Sequence, residues 1–131
     1  LGQEVDIITI DVSFISTTLV FPVVKDMLKS DGYIISLIKP QFEAGRNKVG
    51  KKGVVRDPDV HREVLINCIA GAAKEGLFCT GITYSPITGP QGNIEFFIHL
   101  NKEEASPELD IEKTVALVVS EAHQQLGGKG I

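Results

Sequence analysis

Residues 33–45 read YIISLIKPQFEAG. Six mostly apolar residues, three of them isoleucine, describe a strand buried among neighbours. Pro40 closes it, because proline has no N–H to donate to a central ladder. Lys39 therefore stands at the mouth of a buried strand. A loop rich in cations follows, with Arg46, Lys48, Lys51, Lys52 and Arg56 ahead of Asp57-Pro58.

Upstream, VDIITIDVSF (5–14) is β-branched and nearly continuously apolar, the pattern of a parallel strand covered on both faces. It stops at Asp11. Ser16, Thr17 and Thr18 are helix N-cap candidates, and Leu19, Val23, Met27 and Leu28 supply an apolar helical face that Asp31-Gly32 ends. Downstream, Asp57 as N-cap and Pro58 at the first helical position open a helix with Val60, Val64, Cys68 and Ala72 on one side and Gly76 as its stop. LFCTGITYSP (77–86) and IEFFIHL (94–100) read as strands joined through the turn GPQGN (89–93). A last helix carries Ile111, Val115, Val118, Val119, Ala122 and Leu126 at helical spacing and stops at Gly127-Gly128.

This order predicts an α/β fold. About four strands form part of a Rossmann-like, doubly wound sheet with flanking helices. The last strand runs antiparallel, since no helix separates it from the one before. In such sheets the ligand crevice lies outside the carboxyl ends of the parallel strands. Asp11 and Lys39 sit at two of those ends. Glu95, near the start of the antiparallel strand, falls at the same rim, on the opposite face of its strand from Ile94, Phe96, Ile98 and Leu100. Each also has a plainer reading: Asp11 as a turn or cap residue, Lys39 as a solvated strand end, Glu95 as an edge-strand carboxylate facing water.

Composition narrows the class. With 131 residues, 43% of them hydrophobic, the chain suits one domain with a single core rather than a disordered segment. No apolar run approaches the ~18–20 residues of a membrane span, and no signal peptide is seen, so a cytoplasmic location is expected. Cys68 and Cys79 read as buried reduced packing residues. His61, His99 and His123 are scattered without ligand spacing. The net charge is −4, so the cationic loop stands out on an acidic body, as it would if a polyanion were gripped at one face. The chain starts at Leu1 with a strand almost at once, which reads as a piece of a longer protein.

Four blocks, IDVSFIS, LIKPQFEAG, KKGVVRD and SPITGPQGNIEFF, in this order and spacing, resemble the TlyA-type proteins over residues 5–100. These carry the name hemolysin and belong to the FtsJ-like RNA ribose 2′-O-methyltransferases. The resemblance implies a Lys-Asp-Lys-Glu tetrad on a methyltransferase domain that uses S-adenosylmethionine. Asp11 matches the tetrad aspartate, Lys39 its second lysine and Glu95 its glutamate. It further implies that Lys39 is the general base, that Asp11 and Glu95 hold its amine, and that Asp11, Ser13 and Phe14 border the cofactor. No metal is implied, because the sulfonium is already a charged leaving group. Arg46, Lys48, Lys51, Lys52 and Arg56 become phosphate contacts for ribosomal RNA or a ribosomal subunit.

The resemblance also implies what is not found in residues 1–131: the Gly-rich cofactor loop, the tetrad's first lysine and a small N-terminal RNA-binding domain. The chain is thus expected to be the C-terminal half of the methyltransferase domain, inactive and poor at binding S-adenosylmethionine on its own, and to self-associate through its exposed first strand. Three rivals stand beside this reading: a membrane-damaging hemolysin, a non-catalytic RNA-binding module, and a base amino-methyltransferase. The last would need a proline pair where DVSF stands.

Overall fold

Four strands form one sheet in the order β1-β2-β4-β3. In the computed structural model, which describes residues 4–50, 53–103 and 110–127, β1 (Val5–Ile10) pairs parallel with β2 (Leu28–Ile38). β4 (Phe96–Asn101) runs antiparallel to both β2 and β3 (Phe78–Tyr84). The reversed final strand is as the missing crossover helix required. It lies in the interior of the sheet, not at an edge.

One face of the sheet holds the core. Ile34, Ser36 and Ile38 of β2 alternate inward with Phe96, Ile98 and Leu100 of β4, and all six are fully buried. Against them pack Val64, Leu65, Cys68 and Ala72 of α3 (Pro58–Lys74) and Val115, Val119 and Ala122 of α4 (Ile111–Ala122). Asp57 caps α3 by accepting from Asp59 N at 2.8 Å, with Pro58 at the first position, as the sequence signals. Asp110 caps α4 by accepting from Lys113 N. A π-helical turn, His123–Gly127, continues α4; Gly128, half of the expected stop, lies outside the described residues.

Three expectations are corrected. The helix after β1 is not the long one implied by Leu19, Val23 and Met27. It is a 3₁₀ turn, Thr17–Leu19, followed by the five-residue α1 (Phe21–Lys25), whose inward residues are Phe21 and Val24. Leu19, Val23 and Met27 are exposed, and Leu28 already opens β2. Asp31-Gly32 is strand, not helix stop: a side chain on Gly32 would overlap the Asp6 carbonyl and Leu28, so glycine lets β1 and β2 approach. Nor is β1 covered on both faces. Val5 and Ile7 are exposed, and only Ile10 is buried.

Candidate active site

The loop after β2 tightens at once. Lys39, with an extended backbone (φ −110°, ψ 99°), is the N-cap of the single-turn helix α2 (Pro40–Glu43). Its carbonyl accepts from Phe42 N at 2.9 Å and Glu43 N at 3.2 Å. The cation-rich connection, read from the sequence as a loop, contains α2 and a 3₁₀ turn, Arg46–Lys48. The side chain of Lys39, 15% exposed, reaches back across the parallel pair. Its Nζ lies 2.5 Å from Asp11 Oδ1 and donates to Ser13 Oγ at 3.2 Å. Asp11 stays 65% exposed at the rim.

Glu95 reaches the same rim from the antiparallel side. Ile38 pairs with Phe96 as the last register of β2 and β4, so Lys39 and Glu95 are the next residues on adjacent strands. Glu95 precedes the strand and does not follow its alternation; Ile94, Glu95 and Phe96 are buried in succession. Its carboxylate, 7% exposed, accepts from Gln41 Nε2 at 2.9 Å. Gly89 makes room for it, since a Cβ there would overlap the carboxylate.

Phe14 forms the outer lip. It is 86% exposed, its φ is 70°, and its ring lies 4.8 Å from that of Phe42. A non-glycine residue held in the left-handed region costs about 1 kcal/mol or more and marks a loop fixed by its surroundings.

The candidate phosphate contacts divide. Arg56 and Lys48 are exposed, and the Lys48 ammonium lies 2.5 Å from Glu63 of α3. Arg46 falls in the 3₁₀ turn, and Lys51 and Lys52 lie outside the described residues.

Several structural partners are invisible in the sequence pattern. Glu43 accepts from Ser16 Oγ at 2.6 Å and from Thr17 N at 2.8 Å. Asn93 accepts from Val55 N at 3.0 Å and donates to Gly53 O and Pro90 O, tying the basic loop to the GPQGN turn. An asparagine after G-P-x-G is a signal for such a turn clamp. His61 and His123, scattered along the chain, meet: His61 Nδ1 lies 2.8 Å from His123 Nε2, and His61 Nε2 lies 2.9 Å from Val55 O. Burial, then His123, pushes the His61 pKa down to about 4. Cys68 and Cys79 are buried free thiols; burial raises both pKa values, and Glu43 adds to the rise at Cys68.

The mixed sheet with flanking helices is an α/β domain that brings Lys39 and Asp11 together at one rim; Glu95, at the facing register position, is held by Gln41, and among the described residues no ion pair joins it to Lys39. The chain belongs to the FtsJ-like methyltransferase family, whose model matches residues 1–102. It is 50% identical over 124 residues to "Putative rRNA methyltransferase YqxC" of Bacillus subtilis, covering 92% of this chain and 44% of that protein. It is 37% identical over 103 residues to "16S/23S rRNA (cytidine-2'-O)-methyltransferase TlyA" of Mycobacterium tuberculosis, covering 79% and 38%. Among solved structures, "Putative hemolysin from Streptococcus thermophilus" superposes with a TM-score of 0.87 at 37% identity, covering 96% of this chain and 45% of that one. The chain thus spans less than half the length of these relatives. Among the described residues, no helix is long and apolar enough to cross a membrane.

Proposed function

We propose that this chain is the C-terminal, catalytic half of an S-adenosylmethionine-dependent methyltransferase domain that modifies ribose 2′-hydroxyls of ribosomal RNA. The observation that carries the reading is the ion pair of Lys39 with Asp11, with the buried Glu95 at the register position facing Lys39. A ribose hydroxyl is a poor nucleophile until its proton leaves. Lys39 Nζ, once its ammonium has released a proton to solvent, takes the hydroxyl proton as general base, since only the neutral amine has a lone pair to accept it. Asp11 and Ser13 fix the amine from one side, and Glu95 lines the other, so that the hydroxyl oxygen is held for in-line attack. S-adenosylmethionine supplies, when bound, a methyl group on a sulfonium. Phe14, exposed at the rim, and Ser13 and Asp11 beside Lys39 suit one wall of such a site, an apolar ring next to polar groups.

The basic segment from Arg46 to Arg56 seats the RNA backbone. Its far end, at Gly53 and Val55, is anchored to the GPQGN turn by Asn93, two residues before Glu95. Cytidine is the target class named for the TlyA relative, and we extend it to this chain. A cytoplasmic location follows from a ribosomal substrate. Among the described residues the β1 edge is unpaired and one sheet face uncovered; in a longer protein both take the remaining strands and helices, and in this chain alone the edge drives self-association.

The decisive test is Lys39→Ala in a natural protein long enough to include the rest of the domain. Methyl transfer to ribosomal RNA should fall roughly 10²–10⁴-fold, the usual contribution of a general base, with RNA affinity kept. Unchanged turnover would reject Lys39 as the base. Replacing Lys51 and Lys52 together should weaken RNA binding and flatten its dependence on salt, the log–log slope shrinking by about one for each phosphate left without its lysine. An unaltered slope would remove both from the RNA path.

A further inference from the structure

The four residues after Lys39 form a helix far too short to persist by its own hydrogen bonds. Its side chains explain why it exists. They leave α2 in three directions, and each one holds a part of the rim. Gln41 donates to Glu95 Oε2 at 2.9 Å. Phe42 packs on Phe14, with ring centroids 4.8 Å apart. Glu43 grips the turn beyond Phe14 with both oxygens, Oε1 accepting from Ser16 Oγ at 2.6 Å and Oε2 from Thr17 N at 2.8 Å. Ser16 Oγ in turn accepts from Thr18 N at 3.1 Å.

Between the end of β1 at Ile10 and the 3₁₀ turn at Thr17, the loop that carries Asp11, Ser13 and Phe14 has no regular hydrogen bonding of its own. Its near end is tied to β2 through the sheet, and its far end is tied to α2 by Glu43. Pro40, buried at the first helical position, stiffens the junction between Lys39 and that anchor.

We propose that α2 is a brace for the rim at Lys39, with Glu43 as the positioning residue for the Asp11 loop and Gln41 as the positioning residue for Glu95. The amine and its two supports would then be set by one turn of backbone that begins at the amine itself. Neither Glu43 nor Gln41 touches a reacting atom in this scheme. The inference rests on the methyltransferase reading for its consequence in turnover, but not for the brace itself.

Two measurements test it. In this chain, amide hydrogen exchange at Thr17 should speed up at least tenfold in Glu43→Ala, while core amides such as those of Ile34 and Leu65 keep their protection. The isosteric Glu43→Gln should retain part of the Thr17 protection. Equal Thr17 exchange in wild type and Glu43→Ala overturns the brace. Global loss of protection in Glu43→Ala moves the decision to Glu43→Gln, where Thr17 exchange unchanged from wild type overturns it and a selective rise supports it.

In the longer natural protein, Glu43→Ala and Gln41→Ala should each lower kcat tenfold or more, with KM for RNA within twofold, and Glu43→Gln should recover part of the loss. A raised KM at unchanged kcat would overturn the positioning roles. If the wild-type longer protein transfers no methyl group, the function proposed above fails, and Thr17 exchange still decides the brace.

Discussion

Glu95 shows how much of the site depends on single residues that do no chemistry. A buried carboxylate is costly unless it is hydrogen-bonded, and among the described residues Gln41 is its side-chain donor. The cradle is completed by an absence of atoms at Gly89, where a Cβ would overlap the carboxylate. Gly89→Ala should therefore destabilise the chain by about 1–3 kcal/mol, the range for disturbing a buried polar pair. Because the clash is with one side chain, the penalty should shrink to a few tenths in a Glu95→Ala background. Urea denaturation of the four proteins checks this, and an equal penalty in both backgrounds would show that Gly89 serves the turn instead. At this scale the sequence is informative about charges and silent about their supports. The rim positions of Asp11, Lys39 and Glu95 are legible because strand ends are. Gln41 and Glu43 look like ordinary loop polar residues, since their partners lie 54 and 26–27 positions away. The left-handed Phe14 leaves no mark at all, phenylalanine being a residue that turns seldom select.

Elements are legible where a local signal agrees with burial, and misleading where it does not. Asp57-Pro58 and Gly76 bracket α3 because cap chemistry is local; Gly76 has a φ of 75°. Leu19, Val23 and Met27 mimic a helical stripe, but the chain turns back after Lys25 and buries Phe21 and Val24 instead. The α3 stripe holds a further message. His61 lies three residues before Val64 and seven before Cys68, hence on the buried face, and it is fully enclosed. Its Nε2–H donates to Val55 O, leaving Nδ1 to accept from His123 Nε2–H, so α3, the basic loop and the end of α4 are joined through a neutral imidazole. Burial and His123 lower the His61 pKa from 6.5 to about 4, against the opposing pull of Val55 and Asp57. His123 is lowered too, by burial and Arg62, with Asp57 opposing. The folded chain thus refuses a proton that the unfolded chain accepts below pH 6.5. Stability is flat above that value and falls as pH drops towards 4. Between pH 7 and pH 5 the loss from His61 should be about 2 kcal/mol, measured by urea unfolding. In His61→Gln that pH dependence should largely vanish, although the variant is weaker at pH 7. A wild-type midpoint that does not move between pH 7 and pH 5 would remove the imidazole link.

Among the described residues, the long helices α3 and α4 lie on one side of the sheet. On the other side, among the described residues, Tyr33, Ile35, Leu37, Phe97 and His99 are half-buried without a covering helix, and a shallow groove of about 510 Å³ runs over Ile35, Ile82 and Phe97. Strand order and direction can be read from the alternation of elements. Which surfaces lie bare cannot, because apolar residues on both faces of a strand carry the same letters whether or not something covers them. The edge is the sharper liability of the two. Among the described residues, β1 has no strand on its outer edge, which is flanked by exposed Val5 and Ile7, with exposed Leu19, Val23 and Met27 close by in sequence. Against pairing, the described residues of that strand set only Asp6, whose Oδ1 lies 3.2 Å from Lys29 Nζ. Backbone pairing is directional, so it rewards a second β1 more than a second apolar face, and natural edges are blunted by lysine for that reason. The chain alone should therefore sediment as a concentration-dependent oligomer. Ile7→Lys, an edge change, should shift it to monomer, while Phe97→Lys, on the bare face, should leave association unchanged. The reverse pattern would assign self-association to the face, and a monomer at all concentrations would dismiss both surfaces.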